Sequence, residues 1–405
     1  MLNLTTRGSG HTTEMARTDL GSIATATEAE GTPKLDFRKR IPALDGLRGI
    51  AILGVFFYHY ARGAGNHTDS TAVRAIATIF GFGWTGVDLF FVLSGFLITG
   101  ILYDTLEDSG YFKTFYVRRA LRIFPLYYLL IVVFLLLTPV LGIHWRPAHL
   151  FFLFYLGYPA ALLWPSLVQV SSKVAITHLW SLSVEEQFYL VWPWVIARLR
   201  NPATILRACA LIAISALLLR TAICATGPLN VTWAYTFLLC RMDTIATGAA
   251  IAILVRGSWR ERLEKWAPLV FILGVGALIS VCVFRRTVDH DDRVIATIGF
   301  SFLAIMYGSL VVMCVGGVRW VGHLFSLSVL RMFGKYSYGL YLVHFPLTVV
   351  LGPLKVYFVS LTHSYLIGSS IHLAFNLAVN LSIAVASFQL FESPIMRLKH
   401  RFRYA

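Results

Sequence analysis

From about residue 44 to residue 391 the chain returns repeatedly to apolar runs long enough to cross the roughly 30 Å hydrocarbon core of a bilayer, a distance of about 20 helical residues. At that depth no water satisfies a backbone N–H or C=O, so each crossing segment must bond to itself as a helix. Composition agrees, with 57% hydrophobic residues, a mean hydropathy of +0.70 and only 14% charged residues, against roughly 25% in an ordinary soluble domain. The expected fold is an all-α integral membrane protein with about ten transmembrane helices in a single bundle. The formal charge of +15 does not indicate a nucleic-acid partner, because Lys and Arg sit in clusters between the apolar runs rather than along one soluble face.

Hydropathy gives candidate segments at about 44–62, 84–103, 121–142, 148–165, 180–198, 203–224, 234–255, 266–284, 294–316, 336–356 and 368–391. The fourth is doubtful, since it holds Gly157, Pro159 and Pro165 and leads into a polar stretch ending at Thr177 and His178. Loop charge decides the matter. With 143–179 left as an outer re-entrant or surface element, both termini are cytoplasmic and loop Lys and Arg divide roughly 22 inside to 9 outside. With the segment spanning, the division becomes roughly 14 to 17. Residues 1–40, rich in Thr, Ala, Gly and Glu and without the apolar core of a signal peptide, are expected to be a disordered cytoplasmic tail. The membrane domain is expected over 41–397, followed by a basic cytoplasmic tail at 398–405. The five cysteines lie within or at the ends of apolar runs, without metal-type spacing, and read as packing residues; no metal is expected.

Ionisable residues inside membrane helices are costly and so mark functional sites, weighed against structural ion pairs. In the first segment Asp45 and Arg48 are three residues apart and His59 is eleven beyond Arg48. At about 100° and 1.5 Å per residue, Arg48 and His59 share a face about 16 Å apart. A second set opens the segment at 180, where His178, Ser181, Glu185 and Tyr189 form one helical stripe. Glu185 and Glu186 cannot both point into a narrow interior, so one is structural or solvated. Arg241 and Asp243 lie well inside an apolar run, where an internal ion pair competes with a functional role. Arg118 and Arg122 share a face at the entry to the third segment, with Arg119 beside them; guanidinium forks there suit a phosphorylated ligand or anionic lipid headgroups.

Together these segments resemble the acyltransferase 3 family of bacterial integral-membrane O-acyltransferases. The resemblance rests on Leu44-Asp45-Gly46-Leu47-Arg48 with His59, on residues 86–98 from Gly86-Val87-Asp88 through Ser94, on Arg118-Arg119-Ala120-Leu121-Arg122, on Trp180 to Tyr189, on Tyr336 to His344 and on Phe391-Glu392-Ser393-Pro394. It covers about residues 36 to 397. It implies a ten-helix core in the bacterial inner membrane and transfer from cytoplasmic acyl-coenzyme A, commonly acetyl-coenzyme A, to an acceptor presented outside. Lipopolysaccharide or exopolysaccharide sugars are the implied acceptors, with macrolide-like natural products as the alternative. The family's Arg-x10-His pattern falls on Arg48 and His59.

Acyl transfer to a hydroxyl needs a base for the proton and donors for the developing oxyanion. A neutral imidazole suits the first task, so His59 is expected to act as base or transient acyl carrier, oriented by Glu185 or Asp88. Arg48 would position the donor and Arg118, Arg119 and Arg122 would take coenzyme A phosphates. Asp45, His178, Ser181 and Tyr189, with Arg241, Asp243 and His344, are candidates for substrate contacts. A proton-coupled transporter would also use buried His, Asp, Glu and Arg, but no internal repeat is visible and the arginine cluster argues against it. A non-catalytic lipid-associated scaffold is the third reading, and it leaves the aligned ionisable residues without a use.

Overall fold

The computed structural model describes residues 41–61, 71–163, 167, 171, 176–227, 231–402 and 404. The tail expected over 1–40 lies outside the described residues. Among the described residues the chain is helical, without strands. In chain order the helices are α1 (Pro42–Ala61), α2 (Thr71–Gly81), α3 (Gly86–Asp104), α4 (Tyr111–Leu136), α5 (Thr138–Leu141), α6 (Gly157–Leu163), α7 (Trp180–Leu199), α8 (Pro202–Thr226) and α9 (Val231–Thr236). They continue through α10 (Leu238–Leu254), α11 (Arg260–Arg285), α12 (Phe300–Val315), α13 (Arg319–Phe325), α14 (Ser328–Leu351), α15 (Leu354–Thr362), α16 (Tyr365–Ser387) and α17 (Ser393–Arg397).

Among the described residues, seven helices are long and apolar enough to cross a membrane, or eight if the bent pair α14 and α15 counts as one span. Helices α1 and α7 have the length, at 20 residues each, but are not among them. Their sequences explain it: α1 carries Asp45, Arg48 and His59, and α7 carries Ser181, Ser183, Glu185, Glu186 and Gln187. A helix that turns polar groups toward a cavity need not be apolar all round.

The core of the bundle is two close helix pairs, α1 against α14 and α3 against α10, joined by α1 against α3. Without a hydrophobic drive between helices in lipid, close approach needs small residues at the contact. A Cβ on Gly46 would lie 1.7 Å from the Phe325 carbonyl oxygen and one on Gly334 1.8 Å from that of Asp45. Gly95 and Gly248 do the same between α3 and α10. Backbone therefore touches backbone at both seams, which fixes the height of Asp45 and Arg48 against α14.

Among its described residues the doubtful segment holds no helix long enough to cross a membrane. It forms a 3-10 helix at Pro147–Phe154 and the seven-residue α6, both far short of a crossing. The chain reverses at Tyr155, whose φ is 57°, and the turn tucks between α4 and α7. Tyr127 and Tyr128 donate to the Phe152 and Leu153 carbonyls at 2.7 and 2.8 Å, and Gln187 donates to the Tyr155 carbonyl at 3.1 Å. Side chains thus satisfy irregular backbone at this position, as a membrane interior demands. The last residues also depart from a simple tail: Leu398–Arg401 is helical, and Arg118 donates to the Phe402 carbonyl at 3.0 Å.

Candidate active site

Helices α1, α3, α4, α7 and α14 line a chamber whose polar lining is Arg48, Ser94, Arg119, Arg122, Ser181, Glu185, Tyr189, Ser337, Tyr338 and Tyr341. The stripe expected on α7 supplies Ser181, Glu185 and Tyr189. Ser94 Oγ donates to Glu185 Oε1 at 2.7 Å and receives Tyr189 Oη at 3.0 Å, so a serine from α3 holds the carboxylate in place. Asp45 lies 3.5 Å from Arg48 one turn away, the pair expected from their spacing. Three guanidinium groups against one hydrogen-bonded carboxylate make the chamber cationic.

Two further cavities meet this chamber. A vestibule is lined by Asp104, Arg118, Arg119, Arg122, Lys399 and Tyr404, and it shares Arg119 and Arg122 with the chamber. Asp104 is already engaged, accepting from Arg256 Nε and Nη2 at 2.8 and 2.7 Å, so three guanidinium groups remain to face an anionic ligand, beside Lys399, whose pKa burial and these arginines push down to about 7. An apolar groove runs between α4 and α7 beside the turn at Tyr155, and shares Arg119 and Tyr189 with the chamber. Arg119 packs over the Phe115 and Tyr189 rings at 5.9 and 5.6 Å, which fixes the residue common to all three spaces.

At the other end of the chamber lies a histidine cluster. Helix α7 runs opposite to α1 and α14, so His178 sits beside His344, with ring centroids 5.4 Å apart, while Glu185 reaches the level of Arg48. His59 Nδ1 is 2.9 Å from the Val55 carbonyl and 3.3 Å from His344 Nε2. His344 Nδ1 is 2.7 Å from the Tyr341 carbonyl, which can only accept. The network therefore assigns the proton of His344 to Nδ1 and that of His59 to Nδ1, shared between Val55 and His344. In that tautomer Nε2 is the basic nitrogen of the His59 ring. Between cluster and chamber, Tyr341 Oη donates to the His178 carbonyl at 2.8 Å and takes Ser181 Oγ at 2.5 Å.

The expectation that Glu185 or Asp88 orients His59 is corrected by this geometry. Imidazole and backbone carbonyl hold the ring, Glu185 is committed to Ser94, and Asp88 forms an ion pair with Arg241 in which both side chains are fully buried. Nor do Arg241 and Asp243 pair with each other. Residues two apart on a helix face different ways; Arg241 turns to Asp88 on α3, and Asp243 turns to Arg220 on α8 at 2.7 Å. None of these four lines the chamber, vestibule or groove. They cross-link α3, α8 and α10. Among the described residues the group spaced to hold one metal ion is Asp289, His290 and Asp291, in the loop after α11; His290 is occupied by Tyr58 Oη at 3.0 Å and Asp291 at 2.9 Å.

Sequence reasoning passed over Ser94, Tyr341, Lys399 and Arg220. Ser94 and Tyr341 stand inside recognised motifs, but their partners are 91 and 160 residues away, beyond any local pattern. Arg220 did leave a signal, an arginine within an apolar run that must find a carboxylate. Lys399 was visible only as one charge in a basic tail.

The sequence profile of the acyltransferase 3 family, an acyltransferase domain, matches residues 41–387. The chain is 26% identical over 395 residues to the peptidoglycan O-acetyltransferase OatA of Listeria monocytogenes, covering 89% of this chain and 56% of that protein. It is 27% identical over 396 residues to a putative O-acetyltransferase of Staphylococcus aureus, covering 91% and 59%. A putative peptidoglycan O-acetyltransferase of Bacillus subtilis is 27% identical over 385 residues, covering 89% and 56%. The chain thus spans just over half the length of these relatives. No solved structure matches it. With the profile matched from α1 to the end of α16, over the helices that build chamber and histidine cluster, the chain belongs to the acyltransferase 3 family.

Proposed function

We propose that this protein is an O-acyltransferase that takes an acyl group, acetyl among them, from cytoplasmic acyl-coenzyme A and delivers it to a hydroxyl of an extracytoplasmic glycan. The observation that carries the reading is the alignment of a vestibule lined by three arginines and Lys399, an arginine-lined chamber and a histidine cluster, in that order along α1 and α4. Coenzyme A phosphates suit Arg118, Arg122 and Lys399, and the pantetheine arm then follows Arg119 into the chamber beside Arg48. The thioester passes the Ser181–Tyr341 contact to reach His59. There the acceptor hydroxyl attacks the thioester carbon, His59 Nε2 takes its proton, the C–O bond forms as C–S breaks, and the proton passes to the departing thiolate. His344 is the positioning residue that keeps His59 in the required tautomer.

The supporting topology is ten crossings, namely the seven apolar helices, α14 and the two polar helices α1 and α7, with both termini cytoplasmic. In a bacterium such a protein would work in the inner membrane, with acyl-coenzyme A on its cytoplasmic side. The names of the relatives turn the acceptor from the lipopolysaccharide or exopolysaccharide suggested by family resemblance toward peptidoglycan. Purified protein in nanodiscs, supplied with acetyl-labelled coenzyme A and a soluble glycan fragment of peptidoglycan, tests the reading by mass spectrometry. Ester on the glycan with equal thiol release supports it; intact donor, or thiol release without ester, overturns it.

A further inference from the structure

The vestibule has three walls, and one of them is not a membrane helix. Phe115, Arg118, Arg119 and Arg122 recur at helical spacing on one face of α4, and Ile101, Asp104 and Thr105 share a face of α3. The third wall is Lys399 and Tyr404, from the segment that follows α17. From Ser393 onward no described residue belongs to the buried core. Arg118 holds this wall instead: its Nη1 donates to the Phe402 carbonyl at 3.0 Å, and its guanidinium lies over the Tyr404 ring, 5.7 Å from the centroid. One arginine thus anchors the segment and orients an aromatic ring inside a cavity lined by three guanidinium groups. Phosphates account for the guanidinium groups and leave the ring without a use.

We propose that Tyr404 selects the donor's nucleotide: the purine of coenzyme A stacks on its ring while the phosphates meet Arg118, Arg119 and Arg122. The inference rests on the acyl-coenzyme A reading and deepens it, since it states which carrier of the acyl group is recognised. Every base offers a π-face to an aromatic side chain, and guanidinium forks suit phosphate oxygens. A single cavity that offers both favours coenzyme A over a phosphopantetheine thioester, which presents the same acyl group with one phosphate and no base.

Binding of labelled acetyl-coenzyme A to the full chain in nanodiscs tests this without an acceptor. By alanine substitution a stacked base contributes roughly fivefold to a hundredfold in affinity. Tyr404→Ala should therefore weaken acetyl-coenzyme A at least fivefold, leave competition by S-acetyl-phosphopantetheine unchanged and keep the wild-type denaturation midpoint. Tyr404→Trp, which retains a π-face, should bind as wild type does. Adenosine bisphosphate should displace the label from wild type at concentrations at least fivefold below those needed with Tyr404→Ala. Unchanged affinity for acetyl-coenzyme A in Tyr404→Ala overturns the proposal and leaves the donor site intact. An equal loss for both thioesters also overturns it, because Tyr404 would then serve only to prop Arg118. If wild type binds no acetyl-coenzyme A, the acyl-coenzyme A reading itself fails, and the proposal with it.

Discussion

Asp88 and Arg241 test whether burial or chemistry explains a charged pair deep in the bundle. Both side chains have 0% exposure, and Arg241 Nε and Nη1 and Asp88 Oδ2 find no other partner among the described residues. Arg241→Met alone leaves a carboxylate buried without its counter-charge, a change that costs about 3–5 kcal/mol, or between about two and four decades in the folded-to-unfolded ratio. Adding Asp88→Leu removes the stranded charge and lets apolar side chains pack between α3 and α10, so the double variant should return to wild-type stability or exceed it. Thermal denaturation in nanodiscs measures the stability term, and ester formed per folded molecule measures the chemistry. Both should be near normal in the double variant. A double variant as unstable as Arg241→Met refutes the stranded-charge argument, and one that folds but loses transfer by a hundredfold or more returns Asp88 or Arg241 to the active site.

Replacing Arg118 and Arg122 together should raise the KM for acyl-coenzyme A more than it lowers kcat, because phosphate contacts remote from the reacting carbon provide uniform binding. Lys at both positions should rescue only in part; initial-rate kinetics would show it. Gly334→Ala places a methyl against the Asp45 carbonyl at the α1–α14 seam and should destabilise the protein by about 1–3 kcal/mol, read as a lowered denaturation midpoint. The loop 256–265, with four basic residues, should be labelled at an introduced cysteine only from the cytoplasm, and labelling from outside would contradict the ten-crossing topology.

The sequence disclosed most of the long helices because a run of about 20 apolar residues has few other stable forms. It also disclosed which faces carry polar groups, since helical spacing alone aligns Asp45 with Arg48 and Ser181 with Glu185 and Tyr189. Partner choice was not legible. Arg241 and Asp243 stand two apart yet each bonds to another helix, and Glu185 answers to Ser94 rather than to His59, because these contacts depend on how α3, α7, α8 and α10 are rotated against one another. The break in the helix near Tyr155 announced itself through its prolines and glycine, but its anchoring by Tyr127, Tyr128 and Gln187 is purely tertiary.

In the proposed reaction His59 removes the acceptor proton. A positioned base contributes about 10²- to 10⁴-fold in rate, so His59→Ala and His59→Gln should both lose ester formation by at least a hundredfold while remaining inserted and folded. Glutamine can keep the hydrogen bonds to Val55 and His344 but cannot take a proton at neutral pH. Activity per folded molecule in His59→Gln is therefore the most direct measurement: loss of a hundredfold or more is the predicted result, and near-normal turnover would contradict the account.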